Sequence, residues 1–170
     1  MKFELDIPIE MTTVNIRFRI PEQTLRLERG RSPAAMSRDD LEWVFGGEVD
    51  FVDAESQQPL LSLEVPLLGF AEDLSRLIGQ LRADGCYEIP DRYGSYRLIV
   101  TVKENGINVR DVATDRAFEA EGSQLISAVG DFAKSLRDSL TQLFPELSAN
   151  PEFNRISREI TDRFLADPHR

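Results

Sequence analysis

Two adjoining runs near the amino end place an apolar residue at every second position: Phe3, Leu5, Ile7 and Ile9, then Val14, Ile16, Phe18 and Ile20. Strict alternation is the period of a half-buried strand, because successive side chains leave a strand on opposite faces. A hairpin that sets Ile9 opposite Val14 also sets Ile7 opposite Ile16 and Leu5 opposite Phe18. On its other face Asp6 meets Arg17 and Glu4 meets Arg19, so one register satisfies both sides. Each such pair contributes about 0.2–1 kcal/mol, and a slip of one residue would turn every apolar side chain into water. The amino end is therefore predicted to be an antiparallel strand pair with one face on a core.

Further along, Leu25 and Leu27 are candidates to extend the sheet, 29–37 reads as loop, and 39–45 as a short helical turn. Segments 48–52 and 60–65 read as a second strand pair joined through the polar stretch 53–59. Pro66 suits a first helical turn, and Leu67, Phe70, Ala71, Leu74, Leu77, Ile78 and Leu81 follow at spacings of three and four, giving a helix over 66–83 that Asp84-Gly85 stops. It is expected to lay one apolar face on the sheet. A strand at 87–89, a turn-rich loop at 90–95 and a hairpin follow, with Leu98, Val100 and Val102 facing Ile107 and Val109 across Lys103-Glu104-Asn105-Gly106, whose Asn-Gly is a strong turn signal. A helix over 123–144 carries Leu125, Val129, Phe132, Ala133, Leu136, Leu140 and Leu143 on one face and ends at Pro145. Asn150-Pro151 has the form of an N-cap and a helix-starting proline for a last helix bearing Phe153, Ile156, Ile160 and Phe164. The predicted fold is α+β: an antiparallel sheet of about five to seven strands, two long helices packed on one face and a C-terminal helix. No repeat or linker divides the chain, which gives one domain over 1–166 and a tail at 167–170.

Charge and composition narrow the functional classes. With 170 residues, 41% apolar and 29% charged, the chain can build a full core. Its formal charge is −10, yet residues 1–38 carry seven Lys/Arg against five Asp/Glu, so the acidity belongs to the body. That field repels phosphate backbones and anionic headgroups and attracts basic proteins, which argues against nucleic-acid and membrane partners. No signal-like start and no long apolar run are present, and Cys86 is the single cysteine, so cytoplasm is the expected location.

Catalytic chemistry finds little to work with. The sole histidine, His169, is second from the end after Pro168, and Cys86 has Asp84 and Glu88 nearby, which raise rather than lower a thiol pKa. Asp50 with Asp53, or Glu72 with Asp73, could be cast as acid and base, but no nucleotide, metal or nucleophile motif surrounds them. No cofactor, no metal and no enzymatic activity are expected.

Two features stand out as contact surfaces. Seven acids, Asp39, Asp40, Glu42, Glu48, Asp50, Asp53 and Glu55, fall within 39–55 with no Lys or Arg, and the only tryptophan, Trp43, lies among them. An aromatic anchor ringed by acids suits capture of a basic partner; alternatively, Trp43 is core and the acids are a solvated edge. All three tyrosines, Tyr87, Tyr93 and Tyr96, cluster with Arg92 around the loop at 90–95, either as a contact surface or as a cap on their own sheet.

The stretches VPLLGFAEDLSRLIGQL, RLIVTVKENGINVRDV and QLISAVGDFAKSLRDSLTQLFPEL, with NPEF after them, resemble small bacterial proteins of the polymorphic-toxin immunity type over the last two-thirds of the chain. That resemblance implies a non-enzymatic binder of a cognate, basic toxin and assigns no site residues. An acidic chaperone or adaptor for a secreted effector, and a small-molecule-binding regulatory domain, are the alternatives.

Overall fold

The computed structural model describes residues 11–25, 32–81, 85–89 and 97–165. Strand β1 spans Val14–Arg19, followed by a single helical turn α1 (Glu22–Leu25) and helix α2 (Arg38–Val44). Strands β2 (Gly46–Asp53) and β3 (Pro59–Pro66) lead into helix α3 (Leu67–Gln80). Strands β4 (Cys86–Ile89), β5 (Leu98–Lys103), β6 (Gly106–Asp111) and β7 (Arg116–Ala120) precede helices α4 (Gly122–Leu143) and α5 (Pro151–Leu165).

The fold is α+β with antiparallel pairing, but the described strands form two sheets, β1-β2-β3 and β4-β5-β6-β7, instead of one. The split follows from β3 and β7 packing side by side without a ladder. A parallel bridge between Thr12 and Ala120, with the Thr12 N–H donating to the Glu119 carbonyl at 3.0 Å, links the segment before β1 to β7. Gly106 makes this crossing possible, since a Cβ there would stand 2.8 Å from both the Ala120 carbonyl oxygen and the Met11 sulfur.

The predicted amino-terminal hairpin lies half outside the described residues. Its second strand is β1, with Val14 buried, Ile16 and Phe18 packed against the core, and Asn15, Arg17 and Arg19 exposed. Its observed neighbour is β2, in a register that sets Arg17 opposite Asp50 and Arg19 opposite Glu48. Leu25, a candidate strand residue, ends the turn α1, where the Thr24 N–H donates to the Pro21 carbonyl at 3.0 Å. Leu27 and the tail at 167–170 fall outside the described residues.

A chain of aromatic contacts ties the layers into one core. Phe118 of β7 meets Phe51 of β2 at 5.5 Å, Phe51 meets Phe70 of α3 at 6.5 Å, Phe70 meets Phe132 of α4 at 6.4 Å, and Phe132 meets Phe18 of β1 at 5.8 Å. The last three of these pairs are edge-to-face, and such pairs contribute about 0.5–1.5 kcal/mol beyond their burial. Helix α3 does more than lay one face on a sheet. Its residues 67–75 are all buried, including Glu72, Asp73 and Ser75, because α2 and α5 cover the side opposite the strands. Glu72 and Ser75 find their partners here: Arg38 of α2 and Arg76 of α3 itself both bind the Glu72 carboxylate, and Arg163 of α5 donates to Ser75 Oγ at 2.8 Å, while Arg76 stands 3.7 Å from Asp73 Oδ1.

Candidate functional site

The short helix α2, which carries Trp43 near its carboxyl end, is fixed at both ends. Ser37 caps α2: its Oγ accepts from the Asp40 N–H at 3.2 Å, and the Ser37 N–H donates back to the Asp40 carboxylate at 3.2 Å. Such a reciprocal box satisfies two donors the helix end would otherwise leave without partners. Asp39 stands exposed in the same first turn, where the helix dipole favours negative charge. At the other end Phe45 is fully buried against Phe144 at 5.3 Å, and its carbonyl accepts the Leu67 N–H that opens α3. With Leu41 and Phe45 turned inward, Trp43 is turned outward and is 73% exposed. The alternative in which it is a core residue is thereby excluded.

Beside Trp43 runs a groove of about 430 Å³ lined by Pro21, Gln23, Glu42, Trp43, Gly46, Gly47, Glu48, Glu64, Val65 and Pro66. Gly47 lets three elements converge here, because a Cβ would stand 2.5 Å from the Arg19 carbonyl and 2.8 Å from the Leu67 side chain. Among the described residues, three carboxylates line the groove and no Lys or Arg does. Glu48 and Glu64 are direct neighbours across β2 and β3, both on the face turned away from the core. Glu64 and the two prolines were not predicted as site residues: Glu64 belongs to the alternating outer face of a strand, and only the pairing register brings it to Glu48.

The seven acids do not form one ring. Strand β2 carries them apart, since Gly46 to Asp53 spans about 23 Å at roughly 3.3 Å per residue. Glu42, Glu48 and Trp43 share the groove; Asp50 lies on the rung below, opposite Arg17 and Ser62. Asp53 and Glu55 are at the far end. There Asp53 organises the β2–β3 turn, accepting from the Glu55 N–H at 2.9 Å and from Ser56 Oγ at 3.0 Å, and these bonds hold its carboxyl below the usual carboxylate range. Nor are all of the acids free of internal cations: Arg19 pairs with Glu48, and Arg38 approaches Glu42 at 3.5 Å. Asp50 and Asp53 do not converge as an acid–base pair, and Glu72 and Asp73 are engaged by arginines inside the helical layer.

Tyr87 is half-buried against the core from β4, the strand at the far end of its sheet from β7. It contributes nothing to the Trp43 groove. Arg92, Tyr93 and Tyr96 lie outside the described residues. Cys86 is exposed, within 3.8 Å of Thr101 Oγ1. A second depression of about 310 Å³ separates α4 from α5, with Leu68 and Ala71 at its floor and Asp131, Lys134 and Arg137 among its lining residues.

No family model matches this chain, and no curated protein and no solved structure is similar to it. Among the described residues no cluster of three or more His, Cys, Asp or Glu is placed to hold a metal ion, and no helix is long and apolar enough to cross a membrane.

Proposed function

We propose that this chain is a non-enzymatic protein-binding module whose Trp43 groove captures a basic partner protein, as an immunity protein captures the toxin it neutralises. One observation carries the reading: the only tryptophan is held 73% exposed at the lip of a groove walled by carboxylates. A tryptophan left in water forgoes the burial that would favour it in the core, and such residues supply the dominant anchors of protein interfaces. The α2 cap, the buried Phe45 and the Arg38–Glu72 pair hold the anchor in place before binding, which lowers the entropy lost on association. The charge of −10 adds long-range attraction to a basic partner.

The test is association kinetics with the protein recovered from the native host on the immobilised chain. Trp43→Ala is expected to accelerate dissociation by a factor equivalent to about 2–4 kcal/mol, the scale of an interface hot spot. Glu48→Lys together with Glu64→Lys is expected to slow association and flatten its salt dependence, because exposed rim charges act mainly on the rate of encounter. A partner that is acidic, or rates that ignore both changes while the variants stay folded, would sink the proposal.

A further inference from the structure

Helices α4 and α5 lie side by side over α3 and leave a groove between them. We infer that this groove binds an amphipathic monocarboxylate, with its anionic head on Lys134, Arg137 and Ser157 and its apolar tail on the floor. The site shares no residue with the Trp43 groove and does not depend on the function proposed above.

The groove exists because the facing positions are small or short. On each helix the lining residues recur at spacings of three and four, from Gly130 to Arg137 on α4 and from Ser157 to Phe164 on α5, so one face of each helix borders the gap. Gly130 fixes the level of the two helices: a Cβ there would stand 3.6 Å from the Phe164 ring. Two turns further along α4 are then level with two turns back along α5, which brings Arg137 to Ser157. Gly130 and Ala133 are too small to fill the space, and its floor is made of Leu68, Ala71 and Leu136, all buried in the core.

The lining is polarised along its length. Toward the turn Pro145–Ala149 it carries Lys134, Arg137 and the Ser157 hydroxyl, and at the other end Gly130 and the Phe164 ring. Two cations against one carboxylate, Asp131, leave the lining at +1 in a chain of −10. Among the described residues no carboxylate pairs with Lys134, and Arg137 binds its exposed neighbour Asp138 at 2.8 Å. Thr161 Oγ1 donates to the Ser157 carbonyl at 2.8 Å, which uses its proton. The Ser157 hydroxyl makes no hydrogen bond among the described residues and can donate to an anion. Asp131, next to Gly130, repels a carboxylate from the apolar end, so head and tail have one favoured direction.

Volume and charge select the rest of the ligand. The groove of about 310 Å³ has room for about ten non-hydrogen atoms at roughly 30 Å³ for each water-sized group. One turn of a helix about 10 Å across takes roughly 400 Å³, so a partner helix does not fit. One negative charge matches the lining; a dianion would meet Asp131 and Asp138 with no second surplus cation.

The probes are octanoate, octanamide and acetate, titrated into the full chain by calorimetry. Octanoate is expected to bind one to one with a Kd on the order of 0.1 mM, the scale for about ten well-placed atoms. Octanamide has the same size and no charge and should bind at least about fivefold more weakly; acetate lacks the tail and should not bind measurably. Lys134→Met keeps the stem and removes the charge, so it should weaken octanoate about fivefold and leave octanamide unchanged. Thr161→Phe fills the groove and should abolish binding of both. Lys134 and Thr161 are exposed, so both variants should keep the native circular dichroism spectrum and unfolding midpoint. No saturable heat with octanoate, equal binding of octanamide, or octanoate binding indifferent to either substitution overturns the site. If Thr161→Phe unfolds the chain, the Lys134→Met comparison decides alone.

Discussion

Asn150 uses both halves of its amide. Its Oδ1 accepts the Phe153 N–H at 2.9 Å as the cap of α5, and its Nδ2 donates to the Pro33 and Met36 carbonyls at 2.8 and 2.9 Å, all without exposure to water. The cap was readable from Asn150-Pro151; the two long-range bonds were not, because they depend on where residues 33–36 fold. Asn150→Ala removes the cap, takes the amide donor from the Met36 carbonyl and leaves the Pro33 carbonyl only the Met36 N–H at 3.4 Å, so chemical denaturation should show a loss of about 2–4 kcal/mol. Asn150→Asp keeps the cap but turns a carboxylate oxygen toward two carbonyl oxygens, and its deficit should shrink on acidification as that oxygen takes up a proton. Asp111 behaves in the opposite sense. Burial pulls its carboxyl upward, but bonds from the Thr114 hydroxyl and from the N–H groups of Arg97, Ala113 and Thr114 outweigh this and leave it below the ordinary value. A carboxylate depressed in the folded state contributes stability that is complete above the unfolded value near 4 and is lost as pH falls through the folded one. Denaturation curves between about pH 5 and 2 should therefore lose stability faster for the native chain than for Asp111→Asn, with the two converging at the acid end.

At the scale of elements, what could be read was what carried its own period. Helices α3, α4 and α5, the β2–β3 pair and the β5–β6 hairpin sit within a few residues of their predicted bounds, since apolar spacing alone defines them. Strand β7 was missed because its inward positions are only Phe118 and Ala120 and it contains no β-branched residue. The Asn105-Gly106 signal marked a real hairpin for another reason: the two-residue turn is Glu104-Asn105, and Gly106 is needed for the close approach of Met11 and Ala120. Glu72 and Asp73 lie off the apolar face that the spacing of α3 defines, yet they are buried, and no local pattern announces which helices will cover which side. Glu72, fully buried between Arg38 and Arg76, clamps α2 to α3. Glu72→Ala leaves Arg38 and Arg76 only their longer contacts to Glu42 and Asp73 and is expected to cost about 1.5–3 kcal/mol, the scale of a lost charge-assisted hydrogen bond. Arg38→Met should cost clearly less, because Glu72 keeps Arg76; equal losses in thermal unfolding would refute the clamp.

Across the whole molecule, the acidity is distributed by the strands instead of being pooled. The run 39–55 looked like one acidic segment, but an extended strand separates its ends, and its lower half serves a turn and cross-strand pairs. What remains near Trp43 is narrower and better defined than the sequence implied, with Glu64 added from a neighbouring strand. Anchor, walls and supporting core belong to one packed unit, in which aromatic contacts run from β7 through β2, α3 and α4 to β1. The central claim is that a basic partner covers Trp43. It is tested most directly by labelling this chain with 5-fluorotryptophan, which yields one ¹⁹F resonance from its one tryptophan, and adding the purified host partner to a one-to-one ratio. The resonance is expected to move and to lose its solvent isotope shift as the indole is buried. A complex that forms while the resonance keeps its free position and its full solvent isotope shift would contradict it.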